Sequence, residues 1–341
     1  MNTVAAIDCG TNSLRLLVSG VIDAGDDEVQ LLDLERRMEV VRLGEGVDRT
    51  GAFAPEALRR TFDVLGDYAD LIRAHGVELG PDSVRMVATS ATRDVSNRAE
   101  FIEGVRAILG VEPEVVSGDE EAELSFVGAT AELAAAADEP AGGRERTSGP
   151  GFARPHLVVD IGGGSTEFVL GHARPENHGA VRAARSVDIG CVRMTERHLH
   201  DDPPTAEQIA AATADIDAAL DQAAAAVPLE EAGTVVCVAG TATTVAGIAL
   251  GLAAYDPDRI HHSRIPAERV HAIALELLAM PRERRAALPV MHPGRVDVIG
   301  AGALILDRVL ARTGAAEFVT SEHDILDGIA WSLSFGGPEQ G

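Results

Sequence analysis

Apolar and polar positions along the chain repeat one pattern twice. Residues 5–20, AAIDCGTNSLRLLVSG, run apolar to Asp8, break at a loop of small residues and return to an apolar stretch. Residues 157–171, LVVDIGGGSTEFVLG, do the same 152 positions later, with Asp160 over Asp8, Gly162 over Gly10 and Ser165 over Ser13. Alternating or continuous apolar residues follow each loop, not a capped amphipathic helix, so each copy is predicted to be a β-hairpin and the pair a duplicated domain. A dinucleotide fingerprint, whose glycines open a helix, is disfavoured. VRMVAT at 84–89 reads as a strand, and Asn97 with Glu100 has capping-box spacing. Ser117 is predicted to cap a helix over 117–133, and Thr205 with Gln208 another from 205. Residues 136–156, rich in Gly, Pro, Ala and charge, predict a mobile surface loop. Residues 234–255 are uncharged over a bilayer-spanning length, but four threonines and three glycines dilute them and no basic residue flanks them. They read as a buried strand, a turn and a buried helix. Strands alternating with helices in both halves give an α/β protein.

At 341 residues the chain exceeds one core and fits about two domains. The expected division places 1–124 with about 313–341 in one domain and 125–312 in the other. Cys9, Cys191 and Cys237 lie far apart without a C-x-x-C pair, which argues against disulfides or zinc and for a reducing compartment. The opening MNTVAAIDCG lacks the basic stretch of a signal peptide, so a cytoplasmic protein away from membranes is expected.

Charge narrows the chemistry further. The formal net charge is −25, and all 29 basic residues are arginine. Without lysine, P-loop nucleotide hydrolysis and Schiff-base catalysis are excluded. Nucleic acid, whose binding rests on counterion release to basic side chains, is repelled. An anionic substrate would need backbone N–H groups, local arginines and a divalent cation such as Mg²⁺. The two loops answer the first requirement: amides of Gly10, Thr11, Asn12 and Ser13, and of Gly162, Gly163, Gly164, Ser165 and Thr166, can cradle phosphates, with Ser13, Ser165 and Thr166 adding hydroxyl donors. Asp8 and Asp160 end their strands at the hairpin mouths, where a carboxylate either binds a cation or stabilises its own turn. His261 and His262 would point to opposite faces if they lay on a strand, and EHD at 322–324 lacks accompanying ligands, so neither group predicts a metal site.

The ordered motifs, from the Asp-x-Gly hairpin through TSATRD, SGDEEAELSF, DIGGGSTEF and GTATT to HPGRVDVIGAGALIL, resemble the exopolyphosphatase and guanosine pentaphosphate phosphohydrolase family. The resemblance covers residues 4 to 331. It implies the fold of the actin and sugar-kinase superfamily: two ribonuclease-H-like domains with a cleft between them. It also implies a Mg²⁺-dependent hydrolase releasing terminal orthophosphate from inorganic polyphosphate, or converting guanosine pentaphosphate to the tetraphosphate, and working as a homodimer. Longer relatives carry a further helical region related to HD hydrolases beyond the point where this chain stops, which implies a preference for short chains. By the same resemblance Glu121 is the general base, with Glu120 as fallback because capping by Ser117 is expected to occupy it, and Arg93 binds phosphate. Asp160, then Glu167, become the favoured metal residues beside Asp8. Arg295, with Arg193 and Arg197, is a candidate for the polyanion path. An ATP-dependent kinase or nucleotide switch, and a regulatory protein that binds without turnover, stand as alternatives. Against the first, GTATT carries one glycine where the superfamily's nucleotide binders have a pair.

Overall fold

Alternation along the hairpin strands decides the layers. The computed structural model describes residues 2–25, 28–93, 95–138, 152–172 and 180–334. The first part comprises β1 (Asn2–Cys9), β2 (Ser13–Gly25), β3 (Glu28–Val40), α1 (Val47–Thr50), α2 (Pro55–Ala74), β4 (Val84–Ala88), α3 (Ser90–Arg93), α4 (Arg98–Leu109), β5 (Glu114–Val115) and α5 (Gly118–Asp138). The second opens with β6 (His156–Ile161), β7 (Thr166–His172), β8 (Ala180–Val187), α6 (Cys191–His198), α7 (Ala206–Ala226), β9 (Thr234–Val238) and α8 (Ala239–Ala249). It closes with α9 (Pro257–Ile260), β10 (Arg264–Pro266), α10 (Ala267–Ala279), α11 (Arg282–Ala286), α12 (Ile299–Thr313), β11 (Glu317–Thr320) and α13 (Ile325–Ser334).

In β1, Ala5, Ile7 and Cys9 face a core shared with α2 and α4, while Ala6 faces the opposite side and packs on α13. In β6, Leu157, Val159 and Ile161 face a core built with α7, α8, α10 and α12, while Val158 packs on α5. The same alternation puts Asp8 and Asp160, two positions beyond Ala6 and Val158, on the inner faces. Strand order is β3-β2-β1-β4-β5 in one sheet and β10-β11-β9-β6-β7-β8 in the other. Each is an antiparallel meander of three strands whose first strand continues into parallel neighbours, with β10 added at one edge of the second. The duplication expected from the hairpins therefore extends across both sheets.

Between the inner faces lie α13 and α5. Ala122, Phe126, Ala129 and Leu133 follow helical spacing and press α5 onto Val158, Val169 and Val236. The two helices cross where neither carries a side chain: a Cβ on Gly128 would stand 1.8 Å from the Asp324 carbonyl oxygen, and one on Gly328 2.1 Å from that of Leu124.

Several local expectations hold. Ser117 Oγ accepts from the Glu120 N–H at 3.2 Å while Glu120 Oε2 accepts from the Ser117 N–H at 3.1 Å. Thr205 and Gln208 form the other capping box. Residues 234–249 are β9 and α8, joined through Ala239 at φ 64° instead of through a separate turn, and 250–255 lie beyond the helix. Among the described residues no helix is long and apolar enough to cross a membrane.

Others are corrected. Asn97 precedes α4, but its side chain is held by the Phe53 backbone, accepting at 2.9 Å and donating at 3.1 Å, so no capping box forms. Of the surface loop expected over 136–156, residues 139–151 lie outside the described residues, while 136–138 belong to α5 and His156 to β6. The segment expected to rejoin the first domain from about 313 divides: β11 pairs with β9 and β10 in the second sheet, and only α13 returns to the first.

Candidate active site

Both hairpin loops close with the same bond, Gly10 N–H to the Ser13 carbonyl and Gly162 N–H to the Ser165 carbonyl, each 3.0 Å, which takes these two amides from the phosphate donors expected there. The tips face each other across one crevice. A Cβ on Gly163 would lie 2.8 Å from Thr11 Cβ, and one on Gly164 2.7 Å from Ser90 Oγ. Beside this contact is a cavity of about 90 Å³, several times the ~10–15 Å³ that one water needs. Its walls include Gly10 to Ser13, Gly162, Gly163 and Ser165 from the tips, Asp8, Glu121 and Asp160 as carboxylates, and Arg15 and Arg295 as cations. Gly164, Thr166, Glu167 and Arg93 do not line it. The Thr166 hydroxyl donates to the Ile189 carbonyl and is thereby removed from the phosphate donors expected there.

Glu121 and Ser125, one turn apart on α5, reach into the crevice together. Glu121 Oε2 accepts from Arg93 Nη1 at 2.7 Å, and Ser125 Oγ donates to Asp160 Oδ2 at 2.7 Å. Burial raises the Glu121 carboxyl to about 7: Arg93 opposes the rise, while Asp160 and Asp8 add to it. Burial likewise lifts Asp160 to about 6, with Asp324 and Asp8 reinforcing it and Ser125 and Arg15 resisting. Glu167, the cross-strand partner of Asp160, is buried beside Glu121 and Asp160 and is held well above the usual carboxylate range, mainly by burial. Its Oε1 accepts from Ser186 Oγ at 2.7 Å.

Sequence reasoning passed over Arg15 and weighed Asp324 only as a metal ligand within EHD. Arg15 stands opposite Asp8 in the hairpin register, donates to Asp8 Oδ2 at 2.7 and 2.9 Å, and also binds Asp324. Asp324 Oδ1 in turn accepts from the Leu326 N–H at 3.0 Å, and Asp327 Oδ2 from the Asp324 N–H at 2.9 Å, so the first turn of α13 is capped by the residue that holds Arg15. The hairpin register alone could have pointed to Arg15.

Arg295 is half-buried, donates to Thr244 Oγ1 at 3.1 Å and lies over Gly240, where a Cβ would come within 2.2 Å of its guanidinium carbon. It also borders a second cavity of about 450 Å³ together with Arg15, Arg36 and Arg37, over apolar walls that include Met38, Tyr255, Val290 and Met291.

Arg193 and Arg197, expected on the polyanion path, line neither of these cavities. Both bind Asp48 of α1, at 2.7 and 3.0 Å, and Arg197 also binds Asp215 at 2.9 Å. His261 and His262 lie on no strand: their rings stack at 3.7 Å because His262 has φ 58°, and His323 meets His261 edge-on at 5.0 Å.

The donor set suits a hard cation. Asp8 Oδ1 is buried without a hydrogen-bond partner beside the cavity, an oxygen acceptor of the kind Mg²⁺ takes. Among the described residues no three His, Cys, Asp or Glu side chains gather into a complete cage. Mg²⁺ commonly binds one or two carboxylates plus substrate phosphates, and Asp8 with Asp160 fits that use.

The Ppx/GppA phosphatase family model matches residues 21–140 and 148–332. Exopolyphosphatase 2 of Mycobacterium tuberculosis is 47% identical over 98% of this chain and 99% of its own length. The guanosine-5'-triphosphate,3'-diphosphate pyrophosphatase of Vibrio atlanticus is 35% identical over 59% of this chain and 34% of its own. The crystal structure of an exopolyphosphatase-like protein superposes with a TM-score of 0.85 at 41% identity, covering 98% of this chain and 99% of that one. Two duplicated sheets closing on facing glycine hairpins, and a family match along most of the length, lead to one conclusion: the chain belongs to the Ppx/GppA phosphatase family.

Proposed function

We propose that the chain hydrolyses phosphoanhydrides, releasing terminal orthophosphate from inorganic polyphosphate. The observation carrying this reading is Glu121: a buried carboxyl near 7, held by Arg93 at the wall of a cavity framed by both glycine tips. In this reading Glu121 takes a proton from water, the water oxygen bonds to the terminal phosphorus, and the bridging P–O bond breaks to leave a chain one unit shorter. Amides of the two tips hold the phosphoryl oxygens, and Arg93 keeps Glu121 aimed. Mg²⁺, held by Asp8 and Asp160, would neutralise phosphate charge that a chain of net −25 otherwise repels.

A second substrate, guanosine pentaphosphate, is favoured by the larger cavity: apolar walls at Met38, Tyr255, Val290 and Met291 offer nothing to bare polyphosphate but suit a base. An ATP-dependent kinase fits less well, because the Arg295 guanidinium covers Gly240. The test measures orthophosphate release from defined polyphosphates, guanosine pentaphosphate and ATP, each with and without Mg²⁺, for the native chain and Glu121→Gln. Release from ATP alone, or rates indifferent to the substitution, would overturn the proposal.

A further inference from the structure

The carbonyls of the second glycine run are held from behind. The Cys191 N–H donates to the Gly162 carbonyl at 3.0 Å, and the Val192 and Arg193 N–H groups to that of Gly163 at 2.9 and 3.1 Å. Gly190 permits this approach, since a Cβ there would lie 2.4 Å from the Gly163 carbonyl. The Gly164 carbonyl is held differently, by a side chain: Arg193 Nε donates to it at 2.7 Å. In a trans peptide the carbonyl and the following N–H point opposite ways. Pinning the three carbonyls on α6 therefore turns the N–H groups of Gly163, Gly164 and Ser165 away from that helix, and Gly163 and Ser165 line the cavity. Consecutive amides so directed make an anion nest. No hydrogen bond within the described residues uses these three N–H groups.

The same guanidinium donates from Nη1 to Asp48 Oδ1 at 2.7 Å, across the crevice on α1. We propose that Arg193 is a positioning residue: through the Gly164 carbonyl it aims the Ser165 amide at the phosphoryl group, and through Asp48 it makes that aim depend on contact between the two domains. The proposal rests on the phosphoanhydride-hydrolase reading and explains why Arg193 stands behind the cavity wall.

The experiment is steady-state orthophosphate release from tripolyphosphate by the native chain, Arg193→Ala, Asp48→Asn and the double variant, with melting midpoints for each. Arg193→Ala is expected to lower kcat by about ten- to a hundredfold, less than the ~10²–10³ lost when a transition-state donor is deleted outright, with KM moving less than about threefold. Asp48→Asn is expected to lower kcat by about three- to tenfold, although charge alone predicts that removing an acid helps a polyanion bind. Residues acting through one contact are non-additive, so the double variant should fall no further than Arg193→Ala. A raised KM at native kcat would make Arg193 a direct polyanion contact, and additive losses or a native rate for Asp48→Asn would dissolve the link between domains; any of these overturns the proposal. Should Arg193→Ala melt below the assay temperature, the partly exposed Asp48→Asn decides by the same kcat criterion. If the native chain cleaves no phosphoanhydride, the functional reading fails by itself. Orthovanadate affinity then decides the positioning role: about tenfold weaker binding by Arg193→Ala supports it and equal binding overturns it.

Discussion

The two hairpins share their turn, their register and their place in the sheet, yet differ in the charge of the partner that faces the strand-ending Asp. Asp8 faces Arg15, and Asp160 faces Glu167 in the equivalent position. Their backbones are also anchored differently. The carbonyls of Thr11 and Asn12 accept at 2.8 Å from the Gly44 and Arg42 N–H groups, within their own domain, whereas the second loop leans on α6 and on an arginine tied to the opposite domain. Duplication has therefore preserved geometry while dividing the electrostatics. The first hairpin is neutralised from within, and the second concentrates acid, with Asp160 and Glu167 buried beside Glu121.

The largest expected effect lies where the second hairpin's acidity meets α5. Glu121→Gln should lose on the order of 10²- to 10⁴-fold in kcat while still binding substrate, the span of a positioned general base. Retention of more than a tenth of native kcat would detach Glu121 from the chemistry and, with it, the functional meaning of the acidic hairpin.

Next comes the first hairpin. Arg15→Met leaves Asp8 and Asp324 buried without their cation and should cost about 3–5 kcal/mol, read from the denaturant midpoint. A cost below about 1 kcal/mol would mean that the Asp8–Arg15 pair is no better placed than an exposed ion pair.

The pH profile sharpens the comparison further. A base works deprotonated, so log(kcat/KM) should fall as pH drops below about 7, where burial and the neighbouring acids Asp160 and Asp8 have lifted Glu121. Arg93 opposes that rise, so Arg93→Gln should move the limb to higher pH. A profile flat from pH 8 to 5 would contradict the assignment.

Much of this was legible in the sequence because the signals are local. A strand ending in Asp, a loop of bare backbone and a second strand define each hairpin within about 16 residues, and a capping box separates Glu120 from Glu121. What stayed hidden is long-range. Arg15 meets Asp324 only because α13 returns to the first sheet after the chain has built the second, and Arg193 meets Gly164 and Asp48 only because α6 packs behind one tip and against α1. An arginine's residue type predicts an anion partner without saying whether that partner is a phosphate, a carboxylate or a carbonyl. The adjacent histidines show a related limit: alternation would part them only on a strand, and one left-handed residue stacks the rings instead.

The smallest effect tests whether Glu167 belongs with Arg15 as a charge or apart from it as a neutral acid. Burial and the nearby Glu121 and Asp160 raise Glu167 far above its ordinary 4.5, so between those limits the folded chain holds a proton that the unfolded chain has released. More protons bound in the folded state means that stability declines as pH rises through that window, starting near 4.5. Glu167→Gln keeps the shape and the Ser186 contact but cannot titrate. In the presence of a chelator its unfolding free energy should match the native one at pH 4 and exceed it increasingly as pH rises through that window, by about 1 kcal/mol per pH unit. A variant less stable than native at pH 8 would show Glu167 working there as a paired anion, and the two hairpins would then differ only in the sign of the charge beside each Asp.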